Sequence, residues 1–141
     1  MMIRLFDIAS GTVIHSYENA HDDYIKSIRG LENNHILSGG YDGKIKLFDF
    51  RVHEDPQMVF NHGNQVECLD IFPSKLNFVA CGEKRITSWD LRSNKPIFEN
   101  DGHKKLVSCV KVISEGTRFM SSSSDGYLKV YRNDTFEVTY Q

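Results

Sequence analysis

The chain has 141 residues, 40% of them hydrophobic and 26% charged. That composition is ordinary for a soluble globular protein and supplies enough apolar material for a core, which excludes a disordered chain. No apolar run approaches the ~18 residues of a membrane-crossing helix. A net charge of −2 speaks against a strongly basic nucleic-acid binder and against an acidic tail.

The N-terminal run Met1-Met2-Ile3-Arg4-Leu5-Phe6-Asp7 has neither a basic n-region nor a long apolar h-region, so no signal peptide is expected. Ile3 to Ile8 and Thr12 to Glu18 read as two strands. Tyr24 to Leu31 alternates over its first half, as a half-buried strand does. His35 to Gly40 is a short run ending in glycines. Asp42-Gly43 is a hairpin signal, because a two-residue primed turn needs positive φ. Lys44 to Phe48 alternates again, and Gln57 to Phe60 supplies a short outer strand. The same four-strand reading fits Gln65 to Asn100 and Leu106 to Gln141. Turn residues punctuate the chain every 8–12 residues, the spacing of an all-β protein, and no segment has helical periodicity.

The chain also repeats itself. Aromatic-Asp pairs stand at Phe6-Asp7, Phe48-Asp49 and Trp89-Asp90, and a fourth aromatic at Tyr131 is followed by Arg132. A second marker keeps the same beat of 41 or 42 residues: Ala20-His21, Asn61-His62 and Gly102-His103. The third is the turn Asp42-Gly43 and Asp125-Gly126, replaced by Glu83-Lys84 in the middle repeat. Three markers in phase resemble the WD repeat, which forms one four-stranded propeller blade. The fold expected is all-β, a partial WD-repeat β-propeller of about three and a half antiparallel blades. Residues 1–19 would be the last two strands of a preceding blade. Complete blades would cover 20–60, 61–101 and 102–141.

Propellers close with ~4–8 blades, so the expectation is a fragment of one larger propeller. Open blade edges invite pairing, and self-association through them is the other way to complete the ring. Two chains of 14 strands would hold the strand number of seven blades, but each would have to give its unpaired hairpin to a shared blade.

The WD resemblance implies buried hydrogen-bonded sets, one per blade, joining the early His, a second-strand Ser, the turn Asp and the strand aromatic. It carries over to His21, Ser38, Asp42 and Phe48, and to His103, Ser121, Asp125 and Tyr131. The middle repeat keeps His62 and Trp89, but its turn is one residue shorter and has Glu83 for Asp, so its set is expected to be incomplete. Phe48 has no N–H to offer. Independently of the family, a buried imidazole needs partners for both nitrogens, which a carboxylate and a hydroxyl supply.

Ser, His and Asp in one cluster also describe a nucleophilic triad. A triad occurs once, however, and this arrangement recurs at blade spacing, so the reading is structural and no catalytic residue is expected. Three histidines in three blades lie too far apart to share a metal ion, and His15, His35 and His53 show no ligand spacing. Asp22-Asp23 and Glu54-Asp55 read as solvated loops. No P-loop, GxSxG or HExxH motif is present, so no cofactor is expected. Cys68, Cys81 and Cys109, an odd number without CxxC spacing, read as free thiols of a reducing compartment. Cys68 and Cys109 sit in apolar runs and read as a repeated small core residue.

A tighter resemblance rests on Gly40 to Asp49, on Phe60-Asn61-His62-Gly63 running into Val66-Glu67, and on Phe72-Pro73-Ser74. It extends to the Asp-lacking turn Cys81-Gly82-Glu83 and to Ser124 to Tyr131. These are similar to the family of the U-three small nucleolar RNA-associated protein fifteen, a WD-repeat subunit of the small-subunit processome, over residues 20–141. That family has more blades and a C-terminal helical domain. The resemblance implies a non-catalytic nucleolar scaffold in pre-ribosomal RNA transcription and processing, with other processome proteins as partners, indirect association with pre-rRNA, and no membrane.

The rival is a substrate receptor of a cullin-RING ubiquitin ligase. Phe48-Asp49-Phe50-Arg51 and Trp89-Asp90-Leu91-Arg92 resemble the box through which such receptors meet an adaptor, with Arg51 and Arg92 as the contacts. The plainer reading is that each Arg starts a loop. Direct RNA binding would need a basic stripe, and Lys84-Arg85 and Lys104-Lys105 are short. Partner contacts are expected on loops flanking the first strand of each blade: Tyr24, Lys26, Gln65, Glu67, Leu106 and Ser108, with Tyr41 at the same rim.

Overall fold

The computed structural model describes residues 1–32, 34–52 and 55–141. His53 and Glu54, named above, lie outside the described residues. The elements in chain order are β1 (Ile3–Phe6), β2 (Val13–Tyr17), β3 (Ile25–Gly30), β4 (His35–Gly40), β5 (Lys44–Asp49), β6 (Met58–Asn61) and β7 (Cys68–Ile71). They continue with β8 (Asn77–Gly82), β9 (Arg85–Asp90), β10 (Pro96–Asn100), β11 (Val107–Ile113), β12 (Arg118–Ser123), β13 (Leu128–Arg132) and β14 (Val138–Tyr140). A left-handed turn at Ser114–Gly116 separates β11 from β12, with φ of 51, 54 and 88°.

The strands form one antiparallel pair, β1-β2, and three four-stranded sheets in sequential order: β3-β4-β5-β6, β7-β8-β9-β10 and β11-β12-β13-β14. This is an all-β, partial WD-repeat propeller. The first strand of each sheet is the inner one, and β7 packs against both β3 and β11.

The loops follow local chemistry. Three residues, Tyr41 to Gly43, join β4 to β5, one more than the expected two-residue turn. Gly43 N–H donates to the Gly40 carbonyl at 3.2 Å, and Gly43 takes φ of 75°. That is a type I turn closed by a left-handed residue. In the middle sheet only Glu83 and Lys84 intervene, and Glu83 itself adopts φ of 48°. Gly82 beside it admits no side chain, because a Cβ would stand 1.6 Å from the Gln65 carbonyl oxygen.

Apolar faces meet between sheets. Ile3, Tyr17, Ala20, Ile36 and Phe48 pack β1-β2 onto the first sheet, and the Tyr17 hydroxyl donates to the Asp49 carbonyl at 2.5 Å. Leu37, Ile45, Phe60, Leu69, Phe78 and Trp89 fill the next seam. Phe72, Val79, Ile86, Val107, Val110, Phe119 and Tyr131 fill the third. The aromatics contact edge-to-face or offset: Phe60–Phe78 at 5.0 Å, Phe60–Trp89 at 5.5 Å and Phe119–Tyr131 stacked at 4.8 Å. These are the geometries their quadrupoles prefer. Cys81 belongs to the third seam, but Cys109 is exposed and Cys68 half-buried. The pair is therefore not a repeated core residue. Both stand on inner strands, at the rim of a seam instead of in its interior.

Candidate functional site

Two sheets carry buried hydrogen-bond sets of His, Ser and Asp. His21 Nδ1 lies 2.9 Å from both Asp42 oxygens, and Nε2 lies 2.8 Å from Ser38 Oγ. His103 Nδ1 lies 3.0 Å from Asp125 Oδ2, and Nε2 lies 2.8 Å from Ser121 Oγ. An ionised carboxylate only accepts, so each Nδ1 carries the hydrogen and each Nε2 accepts from the serine. Burial pushes His21 below its ordinary value, outweighing the opposite pull of Asp42. Burial would raise Asp42, yet hydrogen bonds from His21 and from the N–H groups of Asp22 and Lys44 hold it below the carboxylate range. Asp125 is held low against burial in the same way, by Lys104 N–H, His103 and Tyr127 N–H. Ser38 and Ser121 are fully buried, so no substrate reaches either hydroxyl. The charged partners fix the turns onto their histidines.

The strand aromatics do not complete these sets. Phe48 packs on Tyr17 at 4.6 Å. The Tyr131 hydroxyl is buried without a hydrogen-bond partner of standard geometry, and its ring serves the stack with Phe119.

The middle sheet is wired differently. Ala80 stands where Ser38 and Ser121 stand in their own sheets, so β8 offers no hydroxyl. Thr87 on β9 supplies it. Trp89 Nε1 donates to Thr87 Oγ1 at 2.8 Å, and His62 Nδ1 is hydrogen-bonded to the same oxygen at 2.9 Å. His62 Nε2 is buried without a partner among the described residues, and Glu83 accepts from Asn64 at 2.6 Å instead. Burial lowers His62 to about 4. Lys46 and Lys129 hold the position of Thr87 in the sibling sheets, and both donate to the carbonyl preceding the histidine, at 2.7 and 2.8 Å. The signal was in the sequence: a serine lost at 80 and a hydroxyl gained at 87.

Four of the expected partner residues converge across two sheets. Tyr41 N–H donates to the Tyr24 carbonyl at 2.8 Å, and the two rings meet edge-on at 6.3 Å. Lys26 Nζ sits 5.3 Å from the Tyr41 ring centre and 3.7 Å from Glu67 Oε2. The Tyr41 hydroxyl donates to Glu67 Oε1 at 2.6 Å, which pushes that hydroxyl above its usual range. Tyr24 is 62% exposed. The result is an ordered aromatic ridge, held from the neighbouring sheet by one carboxylate. Gln65, Leu106 and Ser108 are exposed and lie apart from it. Gln65 packs its carbonyl on Gly82, and Ser108 Oγ lies 3.4 Å from the Ser122 carbonyl.

Arg51 and Arg92 fold back on their own strand ends. Arg51 Nη2 donates to Asp49 at 2.7 Å and Arg92 Nη2 to Asp90 at 2.6 Å. Those hydrogen bonds hold Asp49 far below the carboxylate range and Asp90 at about 2. Arg132 pairs with Asp134 at 2.7 Å in the inverse order. The motif thus has a role inside each blade.

One residue had no forecast. Asp70 on the inner strand β7 accepts from Arg29 Nε at 3.2 Å in the sheet before it. In the sheet after it, Asp70 accepts from Val112 N–H at 2.9 Å and pairs with Lys111 Nζ at 2.9 Å. Burial would raise Asp70, but these three donors bring it below its ordinary value. Arg29, Asp70 and Lys111 recur every 41 residues with alternating charge, a pattern legible in the sequence once the repeat is aligned.

Sheets of four antiparallel strands arranged about inner strands, with His–Ser–Asp sets behind the turns of the first and third, define a WD-repeat propeller segment. The family model described as WD domain, G-beta repeat matches residues 11–49 and 94–132, more than half of the chain, and the chain belongs to that family. The first three strands of the middle sheet, β7 to β9, lie outside the matched segments. The chain is similar to the U3 small nucleolar RNA-associated protein 15 homolog of Xenopus tropicalis, at 35% identity over 140 residues, 97% of this chain and 27% of that protein. It is similar to the U3 small nucleolar RNA-associated protein 15 of Saccharomyces cerevisiae at 30% over 146 residues, 97% of this chain and 28% of that protein. The autophagy-related protein 16 of Arabidopsis thaliana matches at 26% over 137 residues, 95% of this chain and 26% of that protein. The chain therefore spans about a quarter of the length of these relatives.

Proposed function

We propose that this chain acts as a non-catalytic scaffold segment in nucleolar ribosome assembly, within the small-subunit processome, where pre-ribosomal RNA is transcribed and processed. The likeness to relatives named for the U3 small nucleolar RNA supports the setting. The Tyr24–Tyr41–Lys26–Glu67 ridge carries the mode of action. An exposed Tyr24 backed by a half-buried Tyr41 offers large contact area at low entropic cost, and Glu67 holds this ridge before any partner arrives. Partners are other proteins, and contact with RNA is indirect, since the net charge of −2 gives no basic stripe. Ile28 adds an uncovered apolar surface. It is 43% exposed on β3, while its counterparts Leu69 and Val110 are buried. A second copy or further blades would cover it.

The test is affinity purification of the tagged protein from its own cells, as wild type and as the double variant Tyr24→Ala/Tyr41→Ala. Processome proteins and U3 RNA should co-purify with the wild type and fall at least tenfold in the variant, with an unchanged thermal melt. A cullin adaptor recovered in their place would overturn the reading.

A further inference from the structure

Cys68 on β7 and Cys109 on β11 occupy the same position in adjacent sheets, and their sulfurs lie 3.8 Å apart. Both are free thiols, Cys68 half-buried and Cys109 exposed. The sibling position on β3 is Ser27, whose Oγ accepts from Leu69 N–H of the next sheet at 3.2 Å. Cys68 reaches forward in the same way, to the Val110 carbonyl at 3.5 Å. This position therefore joins each inner strand to the next, and at the second seam the join places one thiol against another. Among the described residues no group of three ligands could hold a metal ion, so the pair is not part of a larger metal site. A disulfide requires sulfurs ~2.05 Å apart, and the two sulfurs, already in contact at 3.8 Å, have that remaining gap to close.

We propose that Cys68 and Cys109 form a dithiol modification site, which a low-molecular-weight disulfide such as oxidised glutathione closes into a covalent link between adjacent blades. The exposed Cys109 attacks first. Its sulfur bonds one glutathione sulfur, the other glutathione leaves as the thiol, and the Cys109 proton goes to solvent and onto that leaving group. Cys68 then attacks Cys109 Sγ, forming the protein disulfide and expelling the second glutathione as its thiol. The protein loses two protons and two electrons, and one oxidised glutathione becomes two reduced ones. Burial, with Cys68 beside it, pushes the Cys109 thiol above its ordinary value. Cys81 does not take part. It is buried, bonded to the Val107 carbonyl at 3.4 Å, and driven far up by burial and by the two neighbouring thiols.

The experiment incubates the folded chain with oxidised glutathione, quenches with acid, and counts free thiols in denaturant alongside a peptide map. Of the three thiols, only Cys81 should stay free, and the map should join the peptides of Cys68 and Cys109. Dithiothreitol should restore all three. The linked form should melt several degrees higher, since the tie restricts the unfolded chain. Cys68→Ser should stop at a stable mixed disulfide on Cys109, and Cys109→Ser should slow the loss of thiols at least tenfold. Three free thiols after incubation, a stable glutathione adduct on the wild type, or dimers joined through Cys109 would each overturn the proposal.

Discussion

Trp89 donates its indole N–H to Thr87 Oγ1 at 2.8 Å, a bond between side chains two residues apart on one strand. Alternation puts both on the same face, toward the seam with the first sheet. Thr87 in turn serves His62, so one hydroxyl satisfies two buried groups. Replacing Thr87 by Val keeps the shape and removes the hydroxyl. The indole N–H and His62 Nδ1 are then both unpaired in an apolar seam, where each costs about 1–3 kcal/mol. Thr87→Val should lower the unfolding free energy by about 3 kcal/mol in a urea titration. A loss under ~1 kcal/mol, the net value of an ordinary hydrogen bond, would mean the hydroxyl is not shared.

Ser121 tests the regular set. It is buried and gives its proton to His103 Nε2 at 2.8 Å. Ser121→Ala leaves that nitrogen unsatisfied and should cost about 1–3 kcal/mol. Asp125→Ala should also lower the melting temperature, because Asp125 ties Lys104 N–H, His103 and Tyr127 N–H together. The two losses should not add, since both act on one imidazole. A thermal melt of the two single variants and the double variant checks this.

Much of this arrangement was legible. The 41- and 42-residue beat is a local property and marks out the strands, whereas the His–Ser–Asp sets come from the resemblance to the WD repeat. Tyr24, Lys26, Tyr41 and Glu67 were placed on one rim, but their convergence was not foreseen. It depends on how closely two sheets approach, and Glu67 belongs to the sheet after the tyrosines. The Asp42-Gly43 loop differed by one residue, since the dipeptide fits both a primed turn and a type I turn with a bulge. The apolar neighbours of Cys68 and Cys109 give them the look of core residues. A strand's neighbours alternate faces, however, and β7 and β11 are the first strands of their sheets, with one edge unpaired within the sheet. Asp70 escaped notice because one carboxylate inside an apolar run looks like noise until Arg29 and Lys111 are set beside it.

Asp70 links three blades, and Asp70→Ala should show it. The substitution removes the acceptor of Val112 N–H and of Arg29. The expected loss is about 2–3 kcal/mol, most of it from the stranded backbone N–H. Asp70→Asn keeps an acceptor for Val112 and gives up only the charge pairing. Arg29 and Lys111 are partly solvated, so that change should cost about 1 kcal/mol and shrink further in high salt. Denaturant titrations of both variants at low and high salt separate the two contributions.

Stability should depend on pH through the buried histidines. His62 is lowered to about 4 in the fold, against ~6.5 in the unfolded chain. Above pH ~6.5 neither state binds the proton and the fold keeps its full stability. Between ~6.5 and about 4 the unfolded chain takes up a proton that the fold refuses, so stability falls by up to ~1.4 kcal/mol per pH unit for this group. The total from His62 is about 3 kcal/mol by pH ~4. His21, lowered in the same direction by burial, steepens the decline. Asp42 and Asp90 are depressed carboxylates and act in a lower window. Their contribution is present above the unfolded value near ~3.9 and is lost as pH falls below it. Urea titrations at half-unit steps from pH 8 to 4 should give a slope that flattens in His62→Leu, whatever that variant's stability at pH 8. An unchanged slope in the variant would place the titrating group elsewhere. A rise in stability toward pH 5 would mean that His62 is charged in the fold.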